Sequence, residues 1–264
     1  MTLSIVKLGG SAITEKAKPF TVRVKAIRSM CAQVAKHVND GGEVVVIHGG
    51  GSYGHPVALM YRLNEGIVDE KSYVGVALTR LAMRELNEVI VREFLRAGGK
   101  PYVIEPSSST IVRRGALEKR FLNIVKLALR NGFIPILYGD VALNDGNGKV
   151  AIVSGDVIAS TLAIELKADK LIYVLDVNGI YPENPKKKPN LKPIRVLTRD
   201  MINKINIHGD GDATGGILRK IEEGFKAFEN GVRLVCFLNW RRGNLLKALR
   251  GLEFKGTILG GNRY

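Results

Sequence analysis

Only two cysteines, one tryptophan and 6% aromatic residues occur in the 264-residue chain. Cys31 and Cys236 stand far apart, each inside an apolar stretch. A disulfide framework or a zinc cluster is therefore not expected, and a reducing cytoplasm is the expected setting. No apolar run approaches the ~18 residues that a membrane span requires, and no charged segment followed by an apolar one opens the chain as a secretory signal would. Neither membrane nor secretory pathway is expected as a partner. The G-x-x-x-x-G-K-[ST] pattern is missing, which excludes a P-loop enzyme. RNP-type, zinc-finger and helix-turn-helix signatures are missing as well, so nucleic acid is not the expected partner.

Positive charge, in contrast, is in excess. Forty Lys and Arg against 25 Asp and Glu leave +15. Such a balance favours anionic partners, including phosphorylated small molecules, although a solvated basic surface or life at high temperature or salt produces it too. Hydrophobic residues at 45% and charged residues at 25% are ordinary for a globular protein. The length suits one large α/β domain or two small ones.

Apolar runs and helical spacing alternate from the first residues. Short buried strands are predicted at Leu3–Leu8, Glu43–His48, 102–105, 133–138, 170–175 and 232–238. Helices are predicted at 22–39, 74–97, 121–130, 156–167, 216–230 and 244–250. Residues 141–143 and 150–153 flank the turn-rich Asn144-Asp145-Gly146-Asn147-Gly148 and read as a hairpin, and 182–193 reads as a Pro- and Lys-rich loop. Strands separated by helices imply an α/β fold: a three-layer αβα sandwich with a mainly parallel central sheet. A single domain over 1–264 is expected, with an N-terminal substrate-binding half to about residue 139 and a C-terminal nucleotide-binding half from about 140.

Glycine-rich turns follow several strands: Lys7-Leu8-Gly9-Gly10-Ser11, His48-Gly49-Gly50-Gly51-Ser52-Tyr53-Gly54-His55 and Ser154-Gly155-Asp156, with Thr214-Gly215-Gly216 before a helix. Glycine lets backbone N–H groups approach phosphate oxygens, and open α/β sheets bind ligands beyond the carboxyl ends of their strands. Together the turns point to a phosphate-binding crevice. Gly49-x-Gly51-x-x-Gly54 also matches the dinucleotide pattern, but the stretch after it leads into a long helix instead of a second strand ending in an acid. Lys7 lies inside an apolar strand, where an unpaired ammonium is costly. Phosphoryl transfer requires cations around the moving group, and Lys7, Lys16 and Lys220 are the candidates. Asp156 reads equally well as a helix cap or as an acid that orients lysines.

These motifs, with Asp176-Val177-Asn178-Gly179-Ile180-Tyr181 and Asp212-Ala213-Thr214-Gly215-Gly216, resemble the amino acid kinase superfamily in order and over nearly the whole chain. The turn ending in His55-Pro56 is similar to that of the archaeal-type isopentenyl phosphate kinases. The resemblance implies transfer of the γ-phosphoryl group of ATP, with Mg²⁺, to isopentenyl phosphate, in a cytoplasmic homodimer. It implies catalytic roles for Lys7, Lys16, His55 and Asp156. ATP would be bound by Lys7, Gly9, Gly10, Ser11, Gly51, Asp176, Gly179, Tyr181, Gly216 and Lys220. The acceptor would be bound by Gly50, Gly51, Gly54, His55 and Gly155. Tyr53, where Phe is common, and Ile217, where Met often follows the paired glycines, depart from the pattern without removing a charge. A fosfomycin-type resistance kinase or a uridylate kinase shares the fold and stays open. No dedicated metal-ligand cluster is seen. His48 reads as structural. Tyr73, Val76, Ala77 and Leu78 could line an apolar pocket, though their spacing is equally that of core.

Overall fold

The computed structural model describes residues 2–113, 116–146, 148–185, 188, 190–204 and 216–260. In chain order its strands are β1 (Leu3–Leu8), β2 (Glu43–His48), β3 (Pro101–Val103), β4 (Val112–Arg113), β5 (Ala116–Leu117) and β6 (Ile134–Tyr138). They continue as β7 (Asp140–Leu143), β8 (Val150–Val153), β9 (Lys170–Val174), β10 (Val196–Leu197), β11 (Leu234–Leu238) and β12 (Gly256–Leu259). The helices are α1 (Gly10–Ile13), α2 (Val24–Asn39), α3 (Gly51–Met60), α4 (Glu70–Arg96), α5 (Pro106–Ser109), α6 (Phe121–Arg130), α7 (Gly155–Glu165), α8 (Gly216–Glu229) and α9 (Asn244–Leu249).

Eight strands form one sheet in the order β10-β12-β11-β9-β1-β2-β6-β3. All its pairs are parallel except β11 with β12. The strands are apolar on both faces because both faces are covered. Ile5, Val45, Ile47, Leu171, Tyr173 and Phe237 pack beneath α6, α7 and α8. Their neighbours Val6, Leu8, Val44, Val46, Ile172 and Cys236 pack beneath α2, α4 and α9. The expected three-layer αβα sandwich is therefore present. The chain builds outward from the centre: β1, β2, β3 and β6 lie to one side, and β9, β10, β11 and β12 continue from the other edge of β1. The expected 141–153 hairpin forms as β7 and β8, outside the main sheet.

Among the elements that differ from the sequence reading are α4, α3 and β12. Helix α4 starts at Glu70, not at residue 74, because Asp69 caps it: its carboxylate accepts the Ser72 N–H at 2.9 Å. The stretch from Gly51, expected as loop, is helix α3. Strand β12 carries too short an apolar run to stand out, yet it pairs with both β10 and β11.

Phe94, on α4, is fully buried among residues of the α2 face. Phe94→Ala should cost about 3–5 kcal/mol of stability. Urea unfolding with an unchanged slope checks this, and a loss below about 1 kcal/mol would contradict the packing described.

Candidate active site

Four parallel strands end level with one another. Leu8 of β1 pairs with His48 of β2 on one side and Val174 of β9 on the other, and His48 pairs with Tyr138 of β6. The glycine turns thus emerge along one edge, where the chain's progress across the sheet reverses about β1, the position at which open α/β sheets hold ligands.

The first two turns touch backbone to backbone. A Cβ on Gly10 would lie 2.6 Å from the Gly51 nitrogen, so only glycine fits there. Gly51 itself has φ +51°. Thr14 ties the turns together, since its hydroxyl donates to the Gly10 carbonyl and accepts the Ser52 N–H, each at 2.9 Å. On the other side Ser11 Oγ donates to Asp176 Oδ1 at 3.0 Å, linking the β1 turn to the one after β9.

Beneath the turns lies a buried ion chain. Lys7 is 3% exposed, and its Nζ stands 2.7 Å from Asp156 Oδ1. Lys220 Nζ lies 3.2 Å from Asp156 Oδ2 and also donates to the Gly216 carbonyl at 2.8 Å. A Cβ on Gly155 would sit 3.3 Å from Lys7 Cε, and one on Gly49 3.4 Å from its Nζ. Lys7 is therefore held between two of the turns. Burial pulls the Lys7 pKa down, assisted by the charge of Lys220 and opposed by Asp156. Burial pushes Asp156 up, but the two ammonium groups outweigh it, and its pKa lies below the ordinary carboxylate value. The carboxylate is ionised. The cap of α7 is Ser154, whose Oγ accepts the Asp156 N–H at 3.2 Å. Asp156 is thus not the cap of α7; its carboxylate is paired with Lys7 and Lys220.

Around this chain lie polar groups that the sequence did not single out. Tyr173 pairs with Lys7 across β1 and β9, and burial pushes its phenol pKa well up, with Asp156 and Glu223 adding to the shift. Ser160, one turn beyond Asp156, donates to Glu223 of α8. No sequence spacing reveals these contacts, because they join β9, α7 and α8.

The other expected residues fall as follows. Gly9, Gly10 and Ser11 form the entry to α1, and Gly50 and Gly51 the entry to α3. Gly54 packs on Met83, whose Sδ would lie 2.6 Å from a Cβ there. His55 is exposed on α3, and Lys16 is exposed in the loop after α1. Asp176, Gly179 and Tyr181 follow β9, where Thr257 Oγ1 accepts the Ile180 N–H at 2.8 Å. Gly216 opens α8, whereas residues 212–215 of its motif lie outside the described residues. His48 is structural: it is fully buried, faces Asn87 Oδ1 at 3.3 Å and stacks on Tyr138. Burial lowers its pKa to about 4, so it stays neutral near pH 7. The expected pocket residues divide. Tyr73, Ala77 and Leu78 are exposed, and only Val76 packs inward, against Ala58, Leu63, Val141 and Val150. Helix α4 turns Thr79 and Met83 toward the protein instead.

Among the described residues no group of three or more His, Cys, Asp and Glu could hold a metal ion. None of the helices searched is long and apolar enough to cross a membrane.

Glycine turns at the strand edge above a buried Lys-Asp-Lys chain, in an αβα sandwich, define a phosphoryl-transfer class of protein. The amino acid kinase family model matches residues 2–239, and the chain belongs to that family. An isopentenyl phosphate kinase of Thermoplasma acidophilum is 33% identical over 261 residues, covering 97% of this chain and 100% of the relative. That of Methanothermobacter thermautotrophicus is 30% identical over 266 residues, covering 97% and 98%. A solved isopentenyl phosphate kinase structure matches with a TM-score of 0.83 at 27% identity, covering 98% of this chain and all of that one.

Asp156→Asn would leave two buried ammonium groups with no carboxylate. It should cost about 3–5 kcal/mol at neutral pH. Because the native pKa of Asp156 is depressed, its contribution is present above the unfolded value of about 3.9 and is lost as pH falls through the native value. Denaturation followed from pH 7 to pH 2 should show the wild-type advantage narrowing in that acid window, and a constant gap would contradict the ion chain.

Proposed function

We propose that the protein is an ATP-dependent kinase that transfers the γ-phosphoryl group to isopentenyl phosphate, giving isopentenyl diphosphate and ADP. The observation that carries the reading is the buried Lys7–Asp156–Lys220 chain directly beneath the Gly10–Gly51 contact, where the turn of α1 meets the helix of His55. The relatives named isopentenyl phosphate kinase, matched over nearly their full length, support the acceptor.

A phosphate monoester is largely ionised near neutral pH, its second pKa being about 6. Its oxygen attacks the γ-phosphorus without a general base. A new P–O bond forms as the bond to the β-phosphate oxygen breaks, and ADP leaves with the electron pair. The protein's task is to hold two anions together and to match the charge on the transferring group. Lys7 and Lys220 bind the ATP phosphates with Gly9, Gly10, Ser11 and Gly51. Lys16 stabilises the moving group, and Asp156 orients the lysines. Asp176, Gly179 and Tyr181 border the nucleoside, and Gly216 also binds ATP. His55 donates to the acceptor phosphate from either protonation state, with Gly50, Gly54 and Gly155 beside it.

Asp156 is committed to two lysines, so Mg²⁺ fits as an ion carried by the ATP phosphates and water, neutralising phosphate charge. The acceptor belongs to the half up to about residue 139 and the nucleotide to the half from about 140. We place the enzyme in the cytoplasm as a homodimer. Leu59 and Met60 on α3 and Val74, Leu78 and Leu81 on α4 are exposed apolar side chains of two packed helices, a surface that a second copy would cover.

Phosphoryl transfer from Mg-ATP should favour isopentenyl phosphate in a panel with dimethylallyl phosphate, UMP, fosfomycin and glutamate. A preference of about 100-fold for UMP or glutamate, about 2.7 kcal/mol of transition-state binding, would overturn the substrate. His55→Ala should lower kcat with isopentenyl phosphate at least ~10-fold while calorimetry finds ATP binding nearly intact. Unchanged kinetics would remove His55 from the reaction.

A further inference from the structure

The loop that carries Lys16 is fastened at both ends to α3, and one fastening starts from a helix defect. Pro56 lies inside α3 and has no N–H, so the Ser52 carbonyl four residues back lacks its usual donor. The N–H of Phe20 donates to that carbonyl at 3.1 Å. Tyr53, next along α3, donates its hydroxyl to the Phe20 carbonyl at 3.0 Å, and the two rings meet edge to face with centroids 5.2 Å apart. At the other end of the loop Thr14 accepts the Ser52 N–H at 2.9 Å. The Glu15 N–H donates to the Thr21 carbonyl at 2.9 Å and closes the loop on itself.

Phe20 holds φ +51°, a left-handed conformation that costs a non-glycine residue about 1–2 kcal/mol. Its side chain is 50% exposed, so burial does not account for it. Strain of this kind persists where surrounding contacts over-determine the backbone, and here the N–H, the carbonyl and the ring of Phe20 are all engaged by one turn of α3.

We propose that Phe20, Tyr53 and Pro56 are positioning residues that clamp the Lys16 loop to the helix bearing His55, so that Lys16 is held at a fixed position relative to that helix. The inference rests on the roles given above to Lys16 and His55. It deepens that reading, because a lysine on an exposed loop stabilises a transition state only if the loop is pre-organised.

The test is a double-mutant cycle on the full chain with Mg-ATP and isopentenyl phosphate. Tyr53→Phe should lower kcat about threefold to tenfold, the effect of one lost hydrogen bond, with both KM values within about twofold. In a Lys16→Ala background the same change should alter kcat by less than about twofold, because the clamp acts through Lys16. Equal losses in both backgrounds, or an unchanged kcat for Tyr53→Phe, would overturn the proposal. Phe20→Gly keeps the backbone donor and acceptor, relieves the left-handed strain and removes only the ring, and it carries the same cycle should Tyr53→Phe fold poorly. Amide exchange gives a reading independent of the acceptor. The Phe20 amide should lose about tenfold or more of its protection in Tyr53→Phe, and retained protection would also count against the clamp. If wild type fails to phosphorylate isopentenyl phosphate, or Lys16→Ala keeps full kcat, the functional reading falls, while the exchange result still decides the clamp.

Discussion

The placement of one ammonium group organises much of this molecule. Lys7 lies on the central strand of an eight-stranded sheet, buried on both sides by hydrogen-bonded neighbours. A charge there is tolerable only with a partner at contact distance, and Asp156 supplies it. The partner must come from the helix that crosses the Lys7 face, so α7 starts beside the end of β1 with its carboxylate in the first turn. Lys220 then arrives from α8, packed against α7 on the same face. Two ammonium groups against one carboxylate leave a local positive surplus at the strand edge, where backbone N–H groups also point outward. A buried ion pair of this kind is a weak source of stability. It fixes the positions of two cations, which the proposed reaction requires before any anion arrives.

The close approach of the turns follows from the same constraint. In the proposed reaction ligand atoms come within reach of Lys7, which lies below the level of the turns, and side chains there would block them. Glycine at positions 10 and 51 lets the α1 and α3 entries meet backbone to backbone. Thr14 occupies the seam and satisfies a carbonyl of one turn and an N–H of the other. The entries of α1 and α3 therefore meet at the strand edge beside Lys7.

Much of this order was legible in the sequence, for identifiable reasons. Buried parallel strands read as uninterrupted apolar runs bounded by glycine, so β1, β2, β6, β9 and β11 were visible within a residue or two. Lys7 stood out because a lysine in such a run has to be explained. Helix α3 was hidden because Gly51 and Gly54 lie in its first turn and its sixth residue is Pro56, each a poor helix former in isolation; tertiary contacts to Phe20 and Thr14 overrode that preference. Asp156 was ambiguous because a capping acid and an ion-pairing acid occupy the same position in sequence, and only the nearby Ser154 hydroxyl separates them. The residues named on α4 divide because helical spacing marks a stripe but not which side faces inward: Val76 packs inward, and Tyr73, Ala77 and Leu78 are exposed. Met83 faces the glycine turn, against Gly50 and Gly54, and Thr79 is buried, whereas Leu78 is exposed. Tyr173 and the Ser160–Glu223 contact carry no local signal at all.

The net charge of +15 does not itself build the site. Most of the cations are at the surface, many in exposed pairs such as Arg199 with Glu222 and Glu229, which contribute little individually. Their collective field draws anions toward the protein and is screened within about 10 Å at 0.1 M salt. Chemistry between two phosphate groups needs something the field cannot give, namely donors fixed to within a fraction of an ångström while two like-charged groups are brought together. In the proposed reaction the buried ion chain and the two joined turns meet that need, and no residue has to act as a base. An acceptor that enters already ionised removes the proton-transfer problem, and what remains is placement of positive charge, the task for which a rigid parallel sheet with its ligands at one edge is suited.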